Sequence, residues 1–477
     1  MEAVVPPPDG GYPNFTTAEG TKALQNLTTG AGNTGIGWYS LFGNSVGSFN
    51  TAIGAGALDL NTADNNTAVG VAALLLNTTG TSNTANGTGA LVFNNGAEEN
   101  TATGAFAMYS NTEGDFNTAN GAFALYFNTT GERNTAIGDS ALYSNTAGNR
   151  NTAFGNPALL SNSTGSNNTA IGAGVLFSNN GDDNTAIGAD ALSANTSGIL
   201  NTAAGRRALV SNTGGISNTA TGVEALQDNT TGGGNTATGV QALRHHVSGD
   251  YNTADGLYAL GNVVTGSNNI AVGHSAGVNI TTADNVICIG AGAGGENVSG
   301  TTWIGNIYGV STQSGTTAQV VISDDGQLGT VASSVRFKQD IVNMDSLSDA
   351  ILLLRPVTFR YKQDTKGTPQ FGLIAEEVAE VNPALVLQDK EGKPYTVRYD
   401  AVNVMLLNEF LKEHRKVEQQ QATIAKLKIA MKTEEAIITR QQERIDDVTA
   451  RLDEQSAQIQ KVSAQLAAAS SSVADSK

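Results

Sequence analysis

The sequence predicts a mainly β protein. A parallel β-solenoid or β-roll of 17-residue repeats leads into a β neck, a small α+β domain and a C-terminal coiled-coil helix. Three observations predict this. An Asn-Thr-Ala unit recurs from Asn33 to Asn285; no lysine occurs between Lys22 and Lys338; and apolar residues return every seven positions from Phe410 to Leu466. The implied segments are an N-terminal extension (1–16), the repeats (17–300), a connector (301–332), the α+β domain (333–404), the coiled coil (405–469) and a tail (470–477), with fraying expected after about Ala467.

The repeat comes first because it decides the architecture. Asn-Thr-Ala or a close variant starts at Asn33, Asn50, Asn66, Asn83 and onward to Asn269 and Asn285, with a step of 17 that falls to 16 at three places. The consensus is N-T-A-x-G-x-x-A-L-x-x-N-T-x-G-x-x. Seventeen residues are too few for a helix pair and suit two short strands with two turns. The Ala of Asn-Thr-Ala, the residue after it, and pairs such as Ala124-Leu125 supply the apolar positions. The two glycines per unit mark positive φ or close backbone approach. One unit cannot bury its leucine alone, so coils must stack, with Asn and Thr aligned coil over coil. Sixteen coils at the inter-strand spacing make a rod of about 75 Å.

Composition limits the functions open to the chain. Fifty-six glycines, 14% charged and 6% aromatic residues leave little for a conventional large core, so order must come from repetition. A net charge of −17 argues against nucleic acid or anionic membrane as partner. No apolar run is long enough to span a membrane, and Met1–Pro8 lacks the apolar core of a signal peptide, so the sequence does not specify an export route. The single cysteine, Cys288, lies in an apolar run and reads as a buried small hydrophobe. His245, His246, His274 and His414 do not converge as metal ligands, and aspartates hold no constant repeat position for calcium, so neither metal nor cofactor is expected. The Asn-x-Thr triplets belong to the repeat and are not read as glycosylation sites.

The units Asn50-Thr51-Ala52-Ile53-Gly54 and Asn168-Thr169-Ala170-Ile171-Gly172 resemble the [SN]-x-A-[IV]-G core of YadA-type trimeric adhesin heads. That resemblance implies a left-handed β-roll with three chains along one axis. Adhesin units are shorter, however, and this chain has no C-terminal membrane β-barrel segment.

In the connector, Thr302–Gly305 and Ala318–Ile322 read as short strands, the second beside an Asp324-Asp325-Gly326 turn, with Trp303 as a packing anchor.

Beyond Ala332 the sequence carries both charge signs. Ser333-x-x-Arg336-x-Lys338-x-x-Ile341 is followed by a helical pattern over Ser346–Leu354, then Leu354-x-Pro356-Val357-x-Phe359-x-Tyr361. Next come Gly372-x-Ile374-Ala375-Glu376-Glu377-Val378, Pro383 and Tyr399. This ordered set resembles the peptidase S74 family, the intramolecular chaperone domain of phage tail fibres and endosialidases, with Glu376 in place of the usual Gln and Ser334 where Asp is common. A serine hydroxyl attacks once a neighbour takes its proton, and a desolvated, neutral lysine can do so. The resemblance implies Ser333 as nucleophile, Lys338 as base and a single cut at Ala332-Ser333 timed by trimer assembly. Ser334 is the competing nucleophile, and Arg336 reads better as an ion-pairing residue than as a catalytic one.

In the final segment Phe410, Val417, Ile424, Met431, Ile438, Ile445, Leu452, Ile459 and Leu466 form a heptad a row. The d row mixes Leu427, Val448 and Val462 with Gln420, Glu434, Gln441 and Gln455, which suits a wet trimer axis better than a two-stranded zipper.

The expected function is therefore a homotrimeric, extracellular, cell-surface or virion-like structural fibre whose C-terminal domain aligns the chains and then cuts itself off. The alternative is an adhesin rod that binds a surface glycan or protein receptor, with an uncleaved chaperone domain. Trp38, Tyr39, Phe93, Phe106, Tyr109, Phe123, Tyr126 and Phe127 are then the candidate patch, set against a simpler role in filling gaps between coils. A polysaccharide-degrading spike is disfavoured because no paired carboxylates or enzyme-sized insertion interrupt the repeats.

Overall fold

The computed structural model describes residues 13–474 apart from residue 324. The rest of the extension expected at 1–16, and of the tail expected at 470–477, lies outside the described residues. The chain divides into two compact units, 1–315 and 316–477.

The first unit is a parallel β-solenoid. Its eighteen strands, β1 (Thr17–Glu19) through β17 (Ile287–Ile289) to β18 (Thr302–Ile304), pair consecutively, each in parallel with the next. At the usual spacing this sheet is about 80 Å long. Residues 302–304, read from sequence as part of the connector, continue the sheet through Ile287↔Thr302.

Each coil contributes one three-residue strand, not two. Only Thr-Ala-x is extended; the Ala-Leu stretch is a series of turns. The reason lies in backbone dihedrals. The leucine of almost every coil is left-handed, for example Leu125 at φ 52° and Leu142 at φ 53°, and so is the residue two before it. A left-handed non-glycine residue costs about 1–2 kcal/mol, but it aims its N–H along the solenoid axis. Leu125 N thus donates to Ala141 O of the next coil at 2.9 Å, while Phe123 N donates to Ala105 O of the preceding one at 3.0 Å. The leucine side chain is at the same time fully buried, worth about 1.5–3 kcal/mol.

The core is a triple row per coil: the strand alanine (Ala119), then Ala124 and Leu125. The residue after the strand alanine, expected inside, faces out: Ile53, Ile171 and Phe154 are exposed, because side chains alternate across a strand and the alanine takes the inner face. Cys288 occupies the alanine place of β17 and is buried, which pushes its thiol pKa up. The first repeat glycine has positive φ, as Gly121 at 149°, and a Cβ there would lie 2.3 Å from Gly138 O. The second needs only closeness: a Cβ on Gly80 would lie 2.3 Å from Ala97 O.

Two rows of buried asparagines run inside the turns. In the first, Asn134 N donates to Asn117 Oδ1 of the preceding coil at 2.9 Å, and Asn134 Nδ2 donates to Gly148 O at 2.9 Å. The strand register puts Val286, not Asn285, in this row, and the Val286 amide closes it by donating to Asn269 Oδ1. The last 16-residue step read from sequence is therefore 17. In the second row, Asn128 Nδ2 donates to Asn111 Oδ1 at 2.7 Å and to Gly131 O at 2.9 Å, and Asn145 Nδ2 donates to Asn128 Oδ1 at 2.7 Å. The two genuinely shorter coils lose a residue here: Asn61 and Asn179 bond the carbonyl two residues on rather than three.

A third set of bonds caps the outer turn. Asp64, Asp115, Asp182, Asp250 and Asp284 share one register position and accept a backbone N–H from the preceding coil, as Glu98 N to Asp115 Oδ1 at 2.8 Å. Aspartate placement is thus more regular than the sequence indicated, because the 16-residue coils obscure the phase. These carboxylates serve as turn caps, and no group of three or more metal-binding side chains occurs among the described residues.

His246 continues the second asparagine row and is fully buried. Its Nε2 lies 3.0 Å from Gly249 O, whereas His246 Nδ1 and Asn229 Oδ1 find no partner among the described residues. Burial lowers its pKa from the ordinary histidine value. The unfolded chain therefore takes up a proton at higher pH than the folded one, so stability is complete above about pH 6.5 and falls as pH drops below it.

The second unit begins with an antiparallel pair, β19 (Val321–Ile322) and β20 (Leu328–Gly329), around Asp325-Gly326. A 3-10 helix (Asp345–Leu353) follows, then β21 (Val357–Phe359) paired with β22 (Gln370–Gly372), α1 (Ala375–Val381), and β23 (Val386–Gln388) paired with β24 (Pro394–Val397). The last element is α2 (Tyr399–Ala474), which starts before the expected 405 and runs for about 114 Å at 1.5 Å per residue. Val378, Leu385, Val397 and Met405 make a small buried core. Beyond Phe410 every heptad a residue of α2 is exposed.

Two outcomes are expected. Asn128→Ala strands Asn111 Oδ1 and takes one of two partners from Asn145 Nδ2 and from Gly131 O, which keep Gly148 O and Asn117 Nδ2, and denaturant unfolding should show a loss of about 1–3 kcal/mol. His246→Asn supplies a donor to both Gly249 O and Asn229 Oδ1, so it should raise stability by about 1 kcal/mol, with a larger gain over wild type at pH 5 than at pH 8.

Candidate active site

Ser333 and Lys338 are brought together by one turn of 3-10 helix, Val335–Phe337. Ser334 precedes the turn in an extended conformation, and its carbonyl accepts from Phe337 N at 3.0 Å; Lys338 N donates back to Val335 O at 3.0 Å. This reversal folds the intervening residues into a loop and leaves Lys338 Nζ 3.2 Å from Ser333 Oγ. That is hydrogen-bonding distance for the transfer of a hydroxyl proton to an amine. Both side chains, and Ala332 beside them, are exposed to solvent. No hydrogen bond joins Ser334 to Lys338. Arg336 stacks its guanidinium over the Phe337 ring, 4.8 Å from the centroid, and forms no ion pair among the described residues.

The remaining motif residues hold the surrounding scaffold. Tyr399 accepts from Leu373 N through its hydroxyl at 3.0 Å, tying the first turn of α2 to the segment after β22. Gly372 permits this, since a Cβ there would come within 2.7 Å of the same hydroxyl. Arg355 makes a forked contact with Glu377 of α1, at 3.1 Å and 2.5 Å, which holds the Glu377 carboxyl below its ordinary pKa. Glu376, the departure from the usual Gln, points to solvent. An apolar groove of about 690 Å³ runs beside α2, lined by Ile351, Pro356, Val357, Phe371, Val402 and Leu406. Leu406 stands in heptad phase with Leu427 and Val448, so the groove opens onto the d row of the helix.

A second serine–lysine contact was not legible in the sequence. Ser348 of the 3-10 helix is buried and meets Glu409 and Lys412 of α2, with Lys412 Nζ 3.1 Å from Ser348 Oγ. Its partners lie some sixty positions apart, and no local motif links them. The only hint is the recurrence of Asp345, Ser348 and Asp349 on one face of the helical pattern.

The sequence-predicted aromatic patch separates into two groups. Tyr109, Tyr126 and Tyr143 stack at 5.2 and 5.3 Å, with Phe106 over Phe123 at 5.6 Å and Phe93 and Phe127 edge-on beside them. Trp38 and Tyr39 form a separate cluster with Phe42. Within the larger column the tyrosine rings stack on one another, while Phe93, Phe123 and Phe127 are exposed.

Residues 333–387 match the peptidase S74 family, described as chaperone of endosialidase. No curated protein and no solved structure matches the chain.

Proposed function

From a β-solenoid joined to a chaperone-of-endosialidase segment, we propose a homotrimeric, tail-fibre-like structural protein of the extracellular or virion surface whose C-terminal domain aligns three chains and then cleaves itself at Ala332-Ser333. The observation that carries this reading is the match over residues 333–387, with the Ser333–Lys338 pair at its first residues.

Three physical arguments support it. Parallel coils joined only through their neighbours fold slowly, because pairing must find its register before contacts reward it. The exposed a row of α2 and the apolar groove that opens onto its d row are surfaces that other copies of the same helix would cover. Covering also answers the chemistry: burial favours the neutral form of a lysine, and in the isolated chain Lys338 is exposed. Assembly would thus convert an idle pair into a reactive one.

In the reaction, Ser333 Oγ attacks the Ala332 carbonyl carbon while its proton passes to Lys338 Nζ. The C–N bond breaks, the proton is returned to the departing Ser333 amine, and the resulting ester is hydrolysed by water. The products are a carboxylate at Ala332 and a free amine at Ser333. The domain acts once, on its own chain. Because the aligning part is then gone, the fibre is left in a state it cannot easily unfold and refold, a kinetic lock. The elongated, acidic rod is itself the durable product.

On a denaturing gel the assembled chain should run as two fragments divided after residue 332. Ser333→Ala and Lys338→Ala should run full length, and Ser334→Ala should cleave as wild type. A single full-length band for wild type would overturn self-cleavage, and a one-chain mass in solution would overturn the trimer.

A further inference from the structure

The contact between the Asp345–Leu353 helix and the start of α2 is a closed polar network. Ser348 has one proton and two lone pairs, and all three are engaged. The proton goes to Glu409 Oε1, with Asp345 O at 3.3 Å as the weaker alternative acceptor. The lone pairs accept from Asn408 Nδ2 at 2.7 Å and Lys412 Nζ at 3.1 Å. Lys412 directs its other two protons to Asp349 Oδ1 and Glu409 Oε1, each at 2.6 Å. Asn408 Nδ2 also reaches Asp345 O at 3.0 Å. The residues come from successive turns of each helix, 345 with 348 and 349 on the first and 408 and 409 with 412 on the second, three or four positions apart as side-chain neighbours on a helix are.

The network contains a serine, a lysine and a carboxylate, yet it is chemically the reverse of the Ser333–Lys338 pair. A hydroxyl whose lone pairs are both occupied cannot attack, and an ammonium held by two carboxylates does not accept a proton. The lysine is held charged by Asp349 and then Glu409. What such a network does well is fix geometry, since the Ser348 hydroxyl and the Lys412 ammonium are both fully engaged in it.

Its place in the chain gives that geometry a use. Residues 339–344 alone separate Lys338 from the helix that the network holds, and on α2 Lys412 lies between the heptad residues Phe410 and Val417. We infer that Ser348, Glu409 and Lys412 form a latch that ties the segment bearing Ser333 and Lys338 to the heptad helix, and are positioning residues for self-cleavage. Association of the helices then acts on the cutting segment through this latch. This inference rests on the self-cleavage reading above.

The test uses the full chain, comparing wild type with Lys412→Met, Ser348→Ala and Lys412→Arg for cleavage rate, mass in solution and helix content. Lys412→Met and Ser348→Ala should slow cleavage by about tenfold to a hundredfold, as displacement of reacting groups does, with mass and helix content unchanged. Lys412→Arg keeps the charge and the carboxylate contacts and should recover to within about threefold of wild type. Wild-type rates in Lys412→Met and Ser348→Ala would overturn the latch. So would a loss of cleavage that only accompanies loss of assembly, since that is a purely structural role. If wild type itself never cuts, the self-cleavage reading fails, and hydrogen exchange then decides the latch separately. Faster exchange of the 347–354 amides in Lys412→Met supports the tie to α2, and unchanged exchange overturns it.

Discussion

The asparagine side chain, stacked coil over coil, is the interaction on which the solenoid depends. A primary amide has two donors and a carbonyl acceptor. In the second row Asn128 uses its donors on Asn111 Oδ1 and Gly131 O, and its carbonyl on Asn145. One side chain therefore closes its own turn, reaches the coil before it and receives the coil after it. A serine or alanine there could not do all three. The fixed Asn spacing sets the coil length, the coil length aligns the strands, and the aligned strands bury the Ala and Leu rows. The core is thin, and hydrogen bonds rather than apolar volume specify the register.

This explains what the sequence revealed and what it concealed. The Asn-Thr-Ala period read directly as stacked parallel coils, because repetition is visible without knowing any dihedral angle. The number of strands per coil was not. Ala124-Leu125 looks like a second short strand, and only the left-handed φ of the leucine shows that its N–H points along the axis instead. The outward face of Ile53 is hidden for a related reason: an apolar residue beside a buried alanine looks like core until the alternation of the strand is known. The 285/286 shift arose because Asn285 supplies the right residue one place too early, while Val286 holds the register.

The C-terminal unit divides the same way. Ser333 and Lys338 were legible because their spacing within an ordered set of motifs is local, and a single 3-10 turn suffices to join them. Ser348 was not, because its meaning comes from α2, far along the chain. Two serine–lysine contacts in one small domain show how little residue identity alone decides. One pair lies open to solvent; the other is enclosed by carboxylates and an amide that leave it nothing to do but hold.

The ends of the amide rows carry a last consequence. The second asparagine row is followed by Val263 and Ile280 and preceded by Leu27, while the first closes on the Val286 backbone. An exposed stack of amides would be a template, ready to extend by recruiting the same strand from any passing chain. Here the described ends offer no continuing side-chain amide. A solenoid built from the most amyloid-like of side-chain ladders is thereby given a finite length, and its repetition stops short of becoming polymerisation.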